Sequence, residues 1–321
     1  MGSGAVEWFD RAPSAAEQWP LDDLLAAKDG RRISVVVPAR NEAPTIGEIV
    51  GRLRADLVDA VPLVDELVVI DSDSSDGTAE TAAASGATVH AARAIRPDLG
   101  GHPGKGEALW KSQFVTTGDV LVFIDADLTS WGTHFVTGLL GPMLTDSAIE
   151  LVKGFYDRVL EDGSGRHAPQ GGRVTELVAR PLLNLRWPEL ARVVQPLGGE
   201  WAIRRETFAQ LAVPTGYGVE LATLLAVYER AGLDAIAQVD LGSRAHTHQS
   251  VHDLGLMAAE LLAVALRRLG PDVAPDVGPD VGGADLWQFD RALDPPWRAR
   301  PVPLAERPPF VTLEAADAPA G

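Results

Sequence analysis

Two hydrophobic patterns alternate along the first half of the chain. Short continuous apolar runs, rich in β-branched residues, read as buried strands over residues 33–38, 66–70 and 119–128, with a weaker one over 87–90. Between them apolar positions fall three and four apart, as at Ile46, Ile49, Val50 and Leu53, which predicts a helix over 45–57. Further helices are expected over 21–28, over 79–85, and through Ala108, Leu109, Trp110 and Phe114. A βαβαβ order followed by helix and strand predicts an α/β fold with a doubly wound, mostly parallel sheet and right-handed crossovers.

Beyond residue 128 the rhythm changes. Helices are expected over 135–144, 221–230 and 252–269, the last with Leu254, Met257, Leu261, Leu262 and Leu266 along one side. Strands are expected over 149–156 and 235–241, and an apolar strand beginning near Glu200. A polar, glycine-rich connection over 161–171 reads as mobile. Five segments follow: an irregular arm over 1–20, a first half over 21–160, a second half over 161–269, a Pro-Asp-Val linker over 270–283 and a tail over 284–321 that drapes over the body or over a neighbouring subunit.

Composition narrows the partners. Lys and Arg number 28 against 45 Asp and Glu, a formal charge of −17 over 321 residues, which disfavours nucleic acid and anionic lipid. An anionic substrate would require the few basic residues to gather where it binds. The first residues, Met1-Gly-Ser-Gly-Ala-Val6, lack the basic and apolar regions of a signal peptide, and no apolar run approaches the ~18 residues of a membrane span, so the cytoplasm is the expected location. Cysteine is absent, which excludes disulfides, thiolate metal sites and a cysteine nucleophile.

The run over 119–128 ends in Asp125-Ala126-Asp127. At the carboxyl end of a parallel strand, Asp-x-Asp offers hard oxygen ligands for a divalent cation bridging a diphosphate, although an acidic turn would carry the same residues. The combination suggests a nucleotide-sugar transferase. Lys105 lies between glycines at a helix start, a phosphate contact in type, though read alone such a loop is more often a flexible connection; Leu99 and Gly106 stand where a Walker A loop needs glycine and Ser or Thr. The Asp71-Ser-Asp-Ser-Ser-Asp76 run fails as a calcium loop, since Asp76 replaces the required glycine and Ala82 the bidentate glutamate. It reads as a polar loop beside base and ribose, or as helix capping by Asp71 and Ser75. No Gly-x-Gly-x-x-Gly follows the first strand, which argues against a dinucleotide enzyme. Gly171 and Gly172 precede Arg173 and Thr175 at a helix start, either a cradle for phosphate or carboxylate or a first helical turn with a solvated Arg. Glu220 is either a first-turn acid or a partner for a sugar hydroxyl. In Arg244-Ala-His246, His246 is the natural softer ligand beside Asp127, unless it and His248 are simply surface residues.

Taken in order, Pro38-Ala-Arg-Asn-Glu42, Asp71-Ser72, Pro103-Gly-Lys-Gly-Glu107, Asp125-Ala-Asp127, Gly172-Arg-Val-Thr175, Gly216-Tyr-Gly-Val-Glu220 and Arg244-Ala-His246 resemble the actinobacterial glucosyl-3-phosphoglycerate synthases. The match runs from about Leu21 to Leu266. It implies a GT-A fold, retention of anomeric configuration, Mg2+ or Mn2+, a homodimer, and glucose transfer from UDP-glucose to the 2-hydroxyl of 3-phosphoglycerate, early in the route to methylglucose lipopolysaccharides. By position, it implies donor contacts from Pro38, Ala39, Arg40, Asn41, Glu42, Ser72, Lys105, Asp125, Ala126 and Arg244. Tyr217, Gly218, Val219 and Glu220 would face the sugar. Gly172, Arg173, Val174, Thr175 and His248 would meet the acceptor, and Asp127 and His246 the metal. Asp127, Lys105 and Glu220 are the expected catalytic residues, with Glu220 and Glu200 as candidates should a nucleophile be required.

Departures from the mycobacterial pattern fall at His248, where those members carry Asn, at Asp73 and around Trp131. A mannosyl-3-phosphoglycerate synthase using GDP-mannose is the near alternative. A nucleotidyltransferase and a non-catalytic sugar-nucleotide sensor are the rivals from other classes, separable by release of pyrophosphate and by binding without turnover.

Overall fold

The computed structural model describes residues 8–9, 12–160, 172–246, 250–270 and 284–317. Strand β1 is Pro13–Ala15; helix α1 (Leu21–Lys28) leads to β2 (Ile33–Ala39), α2 (Ala43–Arg54), β3 (Glu66–Asp71), α3 (Thr78–Ala84) and β4 (Thr88–Ala91). Helix α4 (Lys105–Ser112) precedes β5 (Val120–Phe123), then α5 (His134–Thr145), β6 (Leu151–Leu160), α6 (Arg180–Arg186) and β7 (Trp201–Arg204). After β8 (Val213–Pro214) come α7 (Val219–Ala231), β9 (Ile236–His246) and α8 (Val251–Arg268). A hairpin of β10 (Asp285–Phe289) and β11 (Trp297–Pro301) is followed by β12 (Glu306–Arg307) and α9 (Phe310–Asp317).

Eight strands form one sheet in the order β1-β9-β6-β7-β5-β2-β3-β4. Strand β7 runs antiparallel to both β5 and β6; the remaining pairs are parallel. Ile33 to Val37 are wholly buried because the sheet is covered on both faces, so the strand reads as a continuous apolar run. Alternate residues serve opposite layers: Ile33, Val35 and Val37 pack with Ile46, Ile49 and Val50, whereas Val36 packs with Leu109, Leu121 and Phe123. The path β2, β3, β4 moves outward before β5 returns to the other side of β2, which places a topological switch between β2 and β5.

Several expectations change. The ladder of the central strand stops at Phe123, so Asp125 and Asp127 stand on a loop beyond it, because two carboxylates cannot continue a buried strand. Strands β6 and β9 run on to Leu160 and His246, further than the apolar pattern, since the two pair parallel along their length with a bulge between Phe155 and Asp157. The N-terminal arm is not wholly irregular: β1 pairs with β9, and buried Trp8 donates from Nε1 to the Ile236 carbonyl at 3.0 Å. The C-terminal tail does return to the body, where β12 pairs with β8. The connection over 161–171 and nearly all of the Pro-Asp-Val linker, 271–283, lie outside the described residues. Among the described residues no helix is long and apolar enough to cross a membrane.

Candidate active site

The carboxyl ends of β2, β3, β5, β6 and β9 and the amino end of the reversed β7 meet at one edge of the sheet. A cavity of about 540 Å³ opens there. At its floor Lys105, the first residue of α4, donates to Asp125 Oδ1 at 2.5 Å and pairs with Glu220 Oε1 at 2.7 Å. Arg244 of β9 reaches Asp125 Oδ2 at 3.2 Å, Asp127 Oδ1 at 2.5 Å, Glu200 Oε1 at 2.8 Å and the Tyr156 hydroxyl at 2.9 Å. One rigid guanidinium therefore fixes three carboxylates. Thr45 donates to the Ala126 carbonyl at 2.6 Å and pins the loop between the two aspartates.

Electrostatics follow from this packing. Burial pushes the Asp125 carboxyl up, but Lys105 and Arg244 outweigh it and hold the group well below the carboxylate range. Burial would lower the Lys105 ammonium, yet Asp125 and Glu220 raise it above its ordinary value, so the lysine stays charged. Glu42 at the cavity wall is raised to about 7 by burial and by the charges of Asp127, Asp125 and Asp76. The mouth of the cleft thus carries negative charge that its own cations do not neutralise, and the Asp127 side chain is 46% exposed.

That excess suits a hard divalent cation. Among the described residues no three metal-ligating side chains converge, so such an ion would complete its shell with phosphate oxygens and water, as Mg2+ and Mn2+ sites on nucleotides do. His246, expected as a ligand, is the last residue of β9, and its side chain lies outside the described part of the structure, as does His248.

The cavity wall includes Pro38, Ala39, Arg40, Glu42, Ser72, Lys105, Asp125, Ala126 and Asp127 on one side. Gly172, Arg173, Val174 and Thr175 line it on another, at the start of a π-type turn, Thr175–Ala179, leading into α6. Tyr217, Glu220 and Arg244 line it as well. Three expected contacts are not on the wall. Asn41, at φ 58°, instead accepts the Ser75 N–H at 2.9 Å and ties the β2 and β3 loops together. Gly218 packs against Val264 and Val219 is buried in the core, at the start of the helix that carries Glu220. Glu200 is fully buried, accepts from Arg244 at 2.8 Å, and is also absent from the wall.

Other contributors carry no sign of the site in the sequence pattern, which marks the apolar ones only as a helix face. Leu254, Met257, Glu260 and Leu261 of α8 roof the cavity, and Pro303 joins them from the C-terminal segment. A buried carboxylate interrupting the apolar side of α8 was the one available signal for Glu260. Lys153, wholly buried, donates to the Gly198 carbonyl at 2.6 Å, and burial pulls its ammonium down to about 8. It steadies the Gly198-Gly199 turn, where any Cβ at Gly199 would strike the Asp125 carboxylate.

A doubly wound sheet whose switch point holds a carboxylate pair and a lysine paired to two carboxylates defines a GT-A glycosyltransferase, and residues 34–205 match the model of glycosyl transferase family 2. The chain is 46% identical over 296 residues to the glucosyl-3-phosphoglycerate synthase of Mycolicibacterium smegmatis, covering 92% of this chain and 94% of that one. Identity to the synthase named likewise from Petrotoga mobilis is 45% over 245 residues, 76% of this chain and 75% of the other. The crystal structure of the Mycobacterium tuberculosis glucosyl-3-phosphoglycerate synthase superimposes with a TM-score of 0.81 at 43% identity, over 94% of this chain and 99% of that one. The same enzyme in complex with Mn2+, UDP-glucose and phosphoglyceric acid superimposes at 0.80 with 45% identity, over 92% and 95% of the two chains. The chain belongs to the glucosyl-3-phosphoglycerate synthase family.

Proposed function

We propose that this chain transfers glucose from UDP-glucose to the 2-hydroxyl of 3-phosphoglycerate with retention of configuration. The observation that carries the reading is a single cavity that joins Lys105, Asp125 and Asp127 to the Gly172–Thr175 cradle, so that a sugar diphosphate and a second anion can lie side by side. The mycobacterial relative that binds Mn2+, UDP-glucose and phosphoglyceric acid together supports it.

In this reading the ends of β2 and β3, through Pro38, Ala39, Arg40, Glu42 and Ser72, hold the nucleoside, and Arg173 and Thr175 hold the acceptor's anionic groups. Asp127 and His246 would hold Mg2+ or Mn2+, which offsets the charge of the diphosphate when bound. Lys105 faces the departing diphosphate, and its two carboxylate partners keep it charged and in place before the reaction begins. Arg244 sets the orientation of Asp125 and Asp127. Glu220 is already committed to Lys105, so no covalent nucleophile is required, and the leaving phosphate takes the proton of the attacking hydroxyl. We further propose a homodimer acting in the cytoplasm at an early step toward methylglucose lipopolysaccharides, on the strength of the family resemblance.

The test is a donor panel of UDP-glucose, GDP-glucose and GDP-mannose, each with 3-phosphoglycerate and Mg2+. Formation of UDP and a glucosylated acceptor only from UDP-glucose is the expected result. Pyrophosphate release from a nucleoside triphosphate, or donor binding without turnover, would defeat the reading.

A further inference from the structure

The C-terminal segment crosses the molecule to the glycine-rich loop, residues 99–107, that carries Lys105. Arg307 makes the contact. Its Nε and Nη2 donate to the two carboxylate oxygens of Glu107 at 2.7 and 2.6 Å, while Nη1 and Nη2 donate to the carbonyls of Leu99 and Gly100 at 2.8 and 3.2 Å. One guanidinium holds both ends of the loop. The pair is buried, with side chains 8% and 2% exposed, and Arg307 lies over the Trp110 ring at 4.9 Å. Trp110 in turn donates from Nε1 to the Pro308 carbonyl at 2.9 Å.

The same strap supports the opposite wall. Thr215 donates its N–H to the Ala305 carbonyl at 3.0 Å, and the carbonyls of Thr215 and Gly216 accept the N–H groups of Glu107 and Gly106 at 2.9 and 3.2 Å. Strap, lysine loop and the turn before α7 are therefore one hydrogen-bonded stack, and Lys105 and Glu220 meet on its inner side. Burying a full ion pair is costly, and a tail could be tethered by apolar contacts alone. A bidentate fork that also captures two loop carbonyls fixes geometry, which an apolar contact does not.

We propose that Arg307 is a positioning residue for the transfer, holding the 99–107 loop so that Lys105 meets the departing diphosphate. The proposal rests on the role given to Lys105 above.

Arg307→Gln and Arg307→Lys are compared in the full chain with Arg300→Gln, which removes the Arg300–Asp253 pair from the same segment without touching the loop. Two readouts are taken: transfer kinetics, and hydrogen exchange of the 99–107 amides without substrates. For Arg307→Gln, kcat falls roughly 100-fold, the size a small misplacement of a reacting group produces. KM for 3-phosphoglycerate stays within about twofold, because Arg173 is untouched. The loop amides exchange about tenfold faster while those of β2 are unchanged, as expected of local opening. Millimolar guanidinium ion and the Arg307→Lys variant each restore part of kcat, and Arg300→Gln behaves as wild type. A kcat within twofold of wild type for Arg307→Gln, or a loss of activity with exchange raised throughout the chain, overturns the proposal. Should Arg307→Gln not fold, Arg307→Lys decides: loss of kcat with faster loop exchange supports it, and unchanged values refute it. If the wild-type chain transfers no glucose, the functional reading fails, while loop exchange still reports whether Arg307 orders the loop.

Discussion

The carboxylate of Glu260, on α8, accepts the backbone N–H of Tyr217 at 2.5 Å, so the roof of the cleft is fastened to the turn that presents Glu220. Burial pushes Glu260 up to about 7 from an ordinary value of 4.5, with the Tyr217 N–H opposing and the Glu220 charge adding. A carboxyl raised in the folded state binds its proton more tightly there than when unfolded, so its contribution to stability falls as pH rises between those values. Glu260→Gln, which keeps an acceptor for Tyr217, should gain roughly 3 kcal/mol relative to wild type on going from pH 4.5 to 7.5. Urea unfolding at the two pH values checks it; a difference independent of pH contradicts the burial argument.

Lys105→Ala should lower kcat by roughly 100- to 1,000-fold, the usual loss for one preorganised charge on a developing anion. KM for the acceptor should change little. An equal rise in both KM values with kcat intact would mean that the lysine only binds.

Arg173→Ala should raise KM for 3-phosphoglycerate by roughly 10- to 100-fold, the loss of a charge-assisted hydrogen bond, with the donor KM nearly unchanged. Steady-state kinetics with each substrate varied in turn separates this from a general loosening of α6.

Chelation of divalent cations should abolish transfer, and Mn2+ or Mg2+ should restore it. Asp127→Ala should be inactive and should not recover at any metal concentration that restores the chelated wild type. Full activity in excess chelator would remove the cation from the account.

Gly106 lies so close to the Pro214 carbonyl that a Cβ would overlap it. Gly106→Ala should therefore cost about 1–3 kcal/mol, the usual range for forced overpacking, and part the lysine loop from β8. Thermal melting measures the first effect and loop hydrogen exchange the second.

The central features were legible because they break a pattern. A wholly apolar strand that stops at Asp125 and Asp127, and a lysine set among glycines, are anomalies against the apolar periodicity around them. The reversed direction of β7 was not, since alternation of polar and apolar residues is the same in either sense. Arg307 stands among prolines 200 residues from Glu107, and nothing local marks it as the partner. Asn41 shows the converse: it sits within the motif proposed to hold the donor, and its left-handed backbone and its bonds to Ser74 and Ser75 make it a joint between loops.

Strand β1 closes the rim of the sheet by pairing with β9, the strand whose other end supplies Arg244 to the aspartates. Trimming the chain ahead of residue 16 would leave a bare row of amide and carbonyl groups along β9, the kind of surface that recruits foreign strands. Truncation at that terminus should thus act on catalysis from behind, through the footing of the guanidinium.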